Sequence, residues 1–320
     1  MSTNLTPFEQ TWVDQLDHEP GLPHQPHLYL YNRNHQRQPV PDHPSFYFFG
    51  SGSSGNAVYL KHAQLLIDLG FPFKKYVADD PTFFYQVHYL LLTHEHTDHL
   101  NTSALLHILR TYPHIHVIIT KRMWAQITDP LWTKRWDSKS PLNARAMQKQ
   151  LKETYRRRFI FIDESTRSLT LYGNNPYFAT LKLYPHLVTH GNIINVAYEL
   201  ETPTLHVLYA SDLDHVMPPA GADHDDLQGG LNLPLELDST GHLTPFKHPF
   251  DLIFLEANYD QDILRHALEL NPDDPHARGN QRHISEQESW RYIDFALASD
   301  GLFVPLHASP SFGTLVQHLD

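Results

Sequence analysis

Six consecutive residues, His94-Glu95-His96-Thr97-Asp98-His99, place three imidazoles and two carboxylates directly after the apolar run Tyr89-Leu90-Leu91-Leu92. A buried strand that ends this way delivers polar side chains to the rim of a sheet. In an extended chain residues two apart share a side, so His94 and His96 can grip one ion together, and Asp98 and His99 then turn toward a second. Imidazole nitrogen and carboxylate oxygen suit zinc, and manganese or iron accept the same donors. A zinc ion with an open position lowers the pKa of bound water to about 7, which supplies a nucleophile at neutral pH. The chain contains no cysteine, which excludes thiolate metal sites, disulfides and a cysteine nucleophile. It contains 25 histidines, so abundance alone picks out no site.

The elements that must position these groups follow from the apolar pattern. FYFFG, AVYL, QLLIDLG and HYLLLTH read as strands, broken by a Gly/Ser-rich turn at Gly50 to Asn56. Leu100, Ala104, Leu105, Ile108, Leu109 and Tyr112 recur at helical spacing, and HVIIT at 116 to 120 reads as the next strand. A mainly helical stretch from Lys121 to Arg158 is followed by the strands RFIFID, LTLYG, ATLKLYPHLVTH, NVAYELE and LHVLYASDL. Residues 214–250 form an acidic, Gly/Pro-rich insertion in which LNLPLELDSTGHLTPF reads as a hairpin. The end brings the strand DLIFLEAN, a helix from Glu286 to Ser299 and the strand GLFVPLH. The expected division is an N-terminal extension or arm over residues 1–44 and one domain over residues 45–320. Thr6-Pro7-Phe8-Glu9 has the form of a helix start, and the six prolines from Glu19 to Pro44 describe an arm that lies on the surface or reaches a partner subunit in a homo-oligomer.

Charge narrows the partners. The net charge is −12, which argues against a uniformly basic nucleic-acid coat. Between Lys121 and Arg158, however, eleven Lys or Arg face three acids, a local balance of +8. That segment, with Arg156, Arg157 and Arg158 and with Trp124, Trp132 and Trp136 for stacking, suits a polyanion. No run of 18 apolar residues occurs, so no membrane span is expected, and the N-terminus has neither the basic start nor the apolar stretch of an export signal. The expected location is cytoplasmic.

His94-x-His96-x-Asp98-His99 resembles the HxHxDH motif of the metallo-β-lactamase superfamily, and other elements of that family stand in order. Asp68 ends QLLIDLG, His190 precedes NVAYEL, Asp212 ends LHVLYASDL and His307 ends GLFVPLH. The resemblance spans about residues 45 to 310 and implies an α/β chain with the αββα metallo-β-lactamase sandwich. It implies a first metal held by His94, His96 and His190, a second held by Asp98, His99 and His307, and Asp212 bridging the two. Asp68 would orient a ligand histidine. His186 competes with His190 and Asp214 with Asp212; nearness to the strand boundary favours His190 and Asp212.

GSGSSGNAVYL, LLIDLG, DLIFLEANYD and the His283-Ile284-Ser285 segment are together similar to the WalJ (YycJ) and tRNase Z-like branch. That likeness implies a two-metal phosphodiesterase or nuclease acting on nucleic acid or a nucleotide, with Asp98 and His283 as catalytic groups and His283 protonating the leaving oxygen. Ser53, Ser54, Asn258 and Ser285 would contact the substrate; Ser285 also has the form of a helix cap, in Ser285-Glu286-Gln287-Glu288. Two departures bear on the pocket: the family text near ESNHD reads EANYD here, and HisAsp reads His190-Gly191. An ester or lactone hydrolase of the same fold is the alternative enzyme, and a metal-binding regulatory protein the non-enzymatic one.

Overall fold

The computed structural model describes residues 28–41, 45–129, 141–172, 180–216 and 248–317. The Thr6-Pro7 helix start, Trp132, Trp136 and the hairpin within LNLPLELDSTGHLTPF lie outside the described residues. The chain forms two compact units. Among the described residues, the first comprises 45–49, 54–129 and 141–163, the second 28–41, 50–53, 164–172, 180–216 and 248–317. Each is a mixed sheet with α-helices, as the α/β class requires.

The first unit holds a sheet of order β3-β4-β5-β6-β7-β8: β3 Phe46–Gly50, β4 Ala57–Leu60, β5 Leu65–Ile67, β6 Tyr89–Leu91, β7 His116–Thr120 and β8 Phe159–Ile162. From β5 to β8 the strands are parallel, and LLI, YLL and VIIT are apolar at nearly every position, as strands covered on both faces need. Helices α1 (Phe73–Tyr76) and α2 (Phe83–Gln86) precede β6, α3 (Thr102–Thr111) joins β6 to β7, and α4 (Lys121–Ile127) and α5 (Pro141–Gln150) lie between β7 and β8. α3 begins where the Asn101 side chain accepts the Ala104 N–H at 3.0 Å. Its Ala104, Leu105, Ile108 and Leu109 pack into one core with Leu66, Leu90, Val117 and Phe159.

The basic segment behaves in two ways. The Arg158 guanidinium donates to the carbonyls of Leu109 (2.6 Å), Tyr112 (2.6 Å) and Ile115 (2.6 and 2.8 Å), so it satisfies the end of α3 instead of facing a polyanion. Trp124, expected to stack on bases, packs against Phe159 and Phe161 at 4.7 and 5.4 Å between centroids. Arg156 and Arg157 are exposed.

The second unit holds a sheet of order β2-β1-β14-β13-β12-β11-β10-β9. Its strands are β1 Leu30–Tyr31, β2 Arg37–Gln38, β9 Leu169–Leu171, β10 Leu181–His190, β11 Ile193–Glu201, β12 His206–Ala210, β13 Phe250–Glu256 and β14 Leu297–Leu306. β9 to β12 form an antiparallel meander, and β12, β13 and β14 are parallel. Helices α6 (Gln261–Leu270), α7 (Pro275–Asn280) and α8 (Glu286–Ala296) follow β13. Tyr292, Ile293 and Ala296 of α8 share a core with Ile253, Leu255 and Phe303.

Two expectations change. Residues 28–41, read as part of an arm that lies on the surface or reaches a partner subunit, are built into this unit: Tyr31 pairs with Phe303, and Leu28 and Leu30 are buried. The helix expected to run to Ser299 ends at Ala296, because Leu297 is extended and pairs with Phe250. No helix among the described residues is long and apolar enough to cross a membrane.

Candidate metal centre

In the first unit the HEHTDH segment leaves β6 and turns back on itself, with the His99 and Leu100 N–H groups both donating to the His96 carbonyl at 3.0 and 2.8 Å. The end of β5 receives it: Leu69 N donates to His99 O and Asn101 N to Leu69 O. His94 Nε2 and His96 Nδ1 face each other at 3.0 Å. Two nitrogens bound to one tetrahedral zinc stand about 3.3 Å apart, so this pair is spaced like ligands of a single ion. Asp98 Oδ2 and His99 Nε2 are 3.8 Å apart, too far for a hydrogen bond and close to the same spacing.

Asp68 is fully buried. It accepts the Thr93 N–H at 2.9 Å, the Thr93 hydroxyl at 2.9 Å and His99 Nδ1 at 2.7 Å. Because a carboxylate only accepts, the His99 proton sits on Nδ1 and Nε2 carries the lone pair, the arrangement of a metal-binding histidine with its orienting acid. Asp68, expected to orient a ligand histidine, is brought into contact with His99.

In the second unit Asp212 stands at the end of β12, almost fully buried, with its backbone at φ 56°. His190 Nε2 lies 3.8 Å from its Oδ2, and His307 Nε2 lies 3.6 Å from its Oδ1. Different imidazoles thus face the two oxygens of one carboxylate, each beyond hydrogen-bond reach. Asn195 Nδ2 holds this turn by donating to the carbonyls of Ser211 and Asp212 at 2.5 and 2.9 Å. The alternatives separate. Asp214 accepts the Gly191 N–H at 2.8 and 3.0 Å and so closes the β10–β11 turn beside His190. His186 points to Glu199, 3.0 Å away, whose other oxygen meets His206 at 2.9 Å.

His283 precedes α8, and its Nδ1 meets Glu256 Oε1 at 2.5 Å. Burial pulls the His283 pKa down, but the charge and hydrogen bond of Glu256 outweigh it, leaving the pKa above the ordinary histidine value. Glu256 ends β13, is fully buried, and accepts the Leu213 N–H on its other oxygen at 2.6 Å. Ligand atoms of Asp212, Glu256, His283 and His307 all lie within 4.8 Å of one another. The two carboxylates are buried and the two imidazoles half-buried, and a convergent set of such donors fits a divalent cation.

Asn258 and Ser285, expected to touch substrate, both make contacts within the protein. Asn258 is buried and its Nδ2 donates to the His307 carbonyl at 2.6 Å and faces His307 Nδ1 at 3.1 Å. Ser285 is buried, capping α8 by accepting the Glu288 N–H at 3.1 Å while Gln261 Nε2 donates to it at 2.8 Å. Ser53 and Ser54 are exposed. Their neighbour Ser51 accepts the His307 N–H at 2.8 Å. Glu256, Thr93, Asn56 and Ser51 are the site residues that spacing did not single out. Only Glu256 carried a signal, an acid closing an apolar strand as Asp68 and Asp212 do.

No family model and no curated protein matches the sequence. The structure is similar to solved structures of the metallo-β-lactamase fold. The metallo-β-lactamase fold protein YhfI from Bacillus subtilis is 15% identical, with 82% of this chain and 85% of that one covered and a TM-score of 0.48. Human tRNase Z, short form, is 15% identical over 83% of this chain and 93% of that one, with a TM-score of 0.47. A long-form RNase Z from yeast is 12% identical over 100% of this chain and 43% of that one, with a TM-score of 0.44.

Proposed function

We propose that this chain is a metal-dependent hydrolase that cleaves phosphodiesters of nucleic acid or nucleotides, with zinc as its ion. The observation that carries the hydrolase reading is Asp212, a buried carboxylate with His190 toward one oxygen and His307 toward the other. His94, His96 and His190 would hold one ion and Asp98, His99 and His307 the second, with Asp212 shared. Bound there, the ions would supply Lewis-acid charge and water ionised near neutral pH.

The chain's own contribution is orientation and a proton. Asp68 keeps the His99 proton on Nδ1. Glu256 holds the His283 ring through Nδ1 and favours its protonated form, so that Nε2–H can pass a proton to a departing oxygen. A phosphodiester needs that help more than an activated ester does, because its leaving alkoxide is strongly basic. The likeness of GSGSSGNAVYL and DLIFLEANYD to the tRNase Z-like branch and the exposed Arg156 and Arg157 support a polyanionic substrate.

Metal analysis should be paired with a panel of bis(p-nitrophenyl) phosphate, single-stranded oligonucleotides and a lactone. Bound zinc, phosphodiester cleavage and loss of both metal and activity in Asp212→Ala are expected. Turnover of the lactone alone would remove the phosphodiesterase reading, and a native protein without bound metal would remove the hydrolase mechanism.

A further inference from the structure

The Gly/Ser-rich turn from Gly50 to Asn56 carries Ser53 and Ser54, expected to contact substrate, while its last residue is fully buried and points at His99. Asn56 Nδ2 lies 2.9 Å from His99 Nε2 and donates to the Asp98 carbonyl at 3.2 Å. A carbonyl can only accept, so the atom facing it is the amide NH2, and the same NH2 is turned to His99 Nε2. Independently, the Asp68 carboxylate at 2.7 Å places the ring proton on Nδ1. Two acceptor-only groups on opposite sides therefore agree: Nδ1–H donates to Asp68, and the Nε2 lone pair accepts from Asn56.

The backbone is built to keep Asn56 there. Its N–H donates to the Asp98 carbonyl at 2.7 Å, and its carbonyl accepts the Gly70 N–H at 3.0 Å. At Gly70 a Cβ would fall 1.9 Å from Asp98 O and 2.4 Å from Asn56 N, so only glycine permits this approach.

We infer that Asn56 is a positioning residue of the metal centre, whose amide occupies the metal-facing nitrogen of His99 in the metal-free protein and yields it when an ion binds. This rests on the proposed role of His99 as a ligand. The ring is then held on both nitrogens before metal arrives, while the hydrogen bond from Asn56 competes with the ion. Removing the amide should lower the stability of the metal-free protein and tighten metal binding, because the metal-free protein loses a bond that the loaded protein does not have.

The test uses the full chain with Asn56→Ala and, to fill the space without a donor, Asn56→Leu. Both should melt at lower temperature than the native protein when metal-free and close to it when zinc-loaded. In chelator competition both should bind zinc about fivefold more tightly, the equivalent of one net hydrogen bond. In the metal-free native protein, nitrogen NMR should show His99 protonated at Nδ1 and not at Nε2. A native protein that takes up no zinc overturns the metal reading itself. Native zinc binding with weaker binding in both variants, or a His99 protonated at Nε2, overturns only the role given to Asn56.

Discussion

At the scale of single residues the site is a set of strand ends. Among the described residues five non-glycine positions have positive φ, and three of them are Asp68, Asp212 and His307. Asp and His tolerate that region better than most residues, and such strain persists where surrounding bonds over-determine it. Those bonds are present: Thr93 and His99 on Asp68, Asn195 on the Asp212 carbonyl, Ser51 and Asn258 on the backbone of His307. Asp68→Ala leaves the buried N–H of Thr93 and Nδ1 of His99 without their charged acceptor. It should lower the stability of the metal-free protein by about 3 kcal/mol in urea unfolding and weaken zinc binding by about 10- to 100-fold. His186→Ala should leave metal content untouched; equal metal loss in His186→Ala and His190→Ala would reverse the choice between them. The ligand candidates were legible because types and spacing are local: HxHxDH, then an acid or histidine closing an apolar run. Thr93, Asn56 and Ser51 were not, since a hydroxyl or amide two or more elements away from its partner has no period in the sequence.

At the scale of elements, Arg158 shows how a charge pattern can mislead. It was one of eleven basic residues in a segment suited to a polyanion, yet its guanidinium closes the carbonyl end of α3 and the entry to β7. Arg158→Gln should destabilise the protein by about 2–4 kcal/mol, the loss of charged hydrogen bonds to carbonyls already removed from water. Arg156→Gln with Arg157→Gln should lower stability by no more than about 1 kcal/mol, the loss of the Arg156 guanidinium from the face of Phe161, while weakening oligonucleotide binding and reducing its salt dependence. An unchanged salt slope in that double variant would take the basic segment out of substrate binding. Strands with continuous apolar runs were legible, and so was α3 from its spacing. The β1–β2 hairpin was not: its pairing of Tyr31 with Phe303 and the reciprocal bonds between the Tyr29 backbone and the Gln317 side chain join opposite ends of the chain. The end of α8 was hidden for a similar reason, since Leu297 is taken by Phe250 in a sheet assembled elsewhere.

At the scale of the whole molecule the two units carry titrating groups that respond to acid in different ranges. In the first unit His88 is buried, and burial, then the nearby charges of His114 and His116, lower its pKa to about 4. His114 shifts in the same direction, mainly through burial. The unfolded chain therefore binds protons more readily than the folded unit between pH 6.5 and about 4, and stability falls as pH drops through that window. In the second unit burial raises the Glu199 pKa, but hydrogen bonds from His186 and His206 overcome it and hold it at about 2. Its stabilisation is present above the unfolded value of 4.5 and is lost as pH falls from there toward 2. His206 is lowered by burial but raised further by Glu199, so its share is complete below 6.5 and fades as pH rises through the folded value. Each acid step is worth on the order of 3 kcal/mol. Acid unfolding should consequently proceed in order. In hydrogen exchange read peptide by peptide, β5 to β7 should lose protection between pH 6 and 4, and β10 to β12 should hold until below pH 4. Glu199→Gln should bring the second transition up toward the first, and His88→Phe should move the first one down. Simultaneous loss of protection in both units, or loss in β10 to β12 first, would show that these groups do not govern the acid limb.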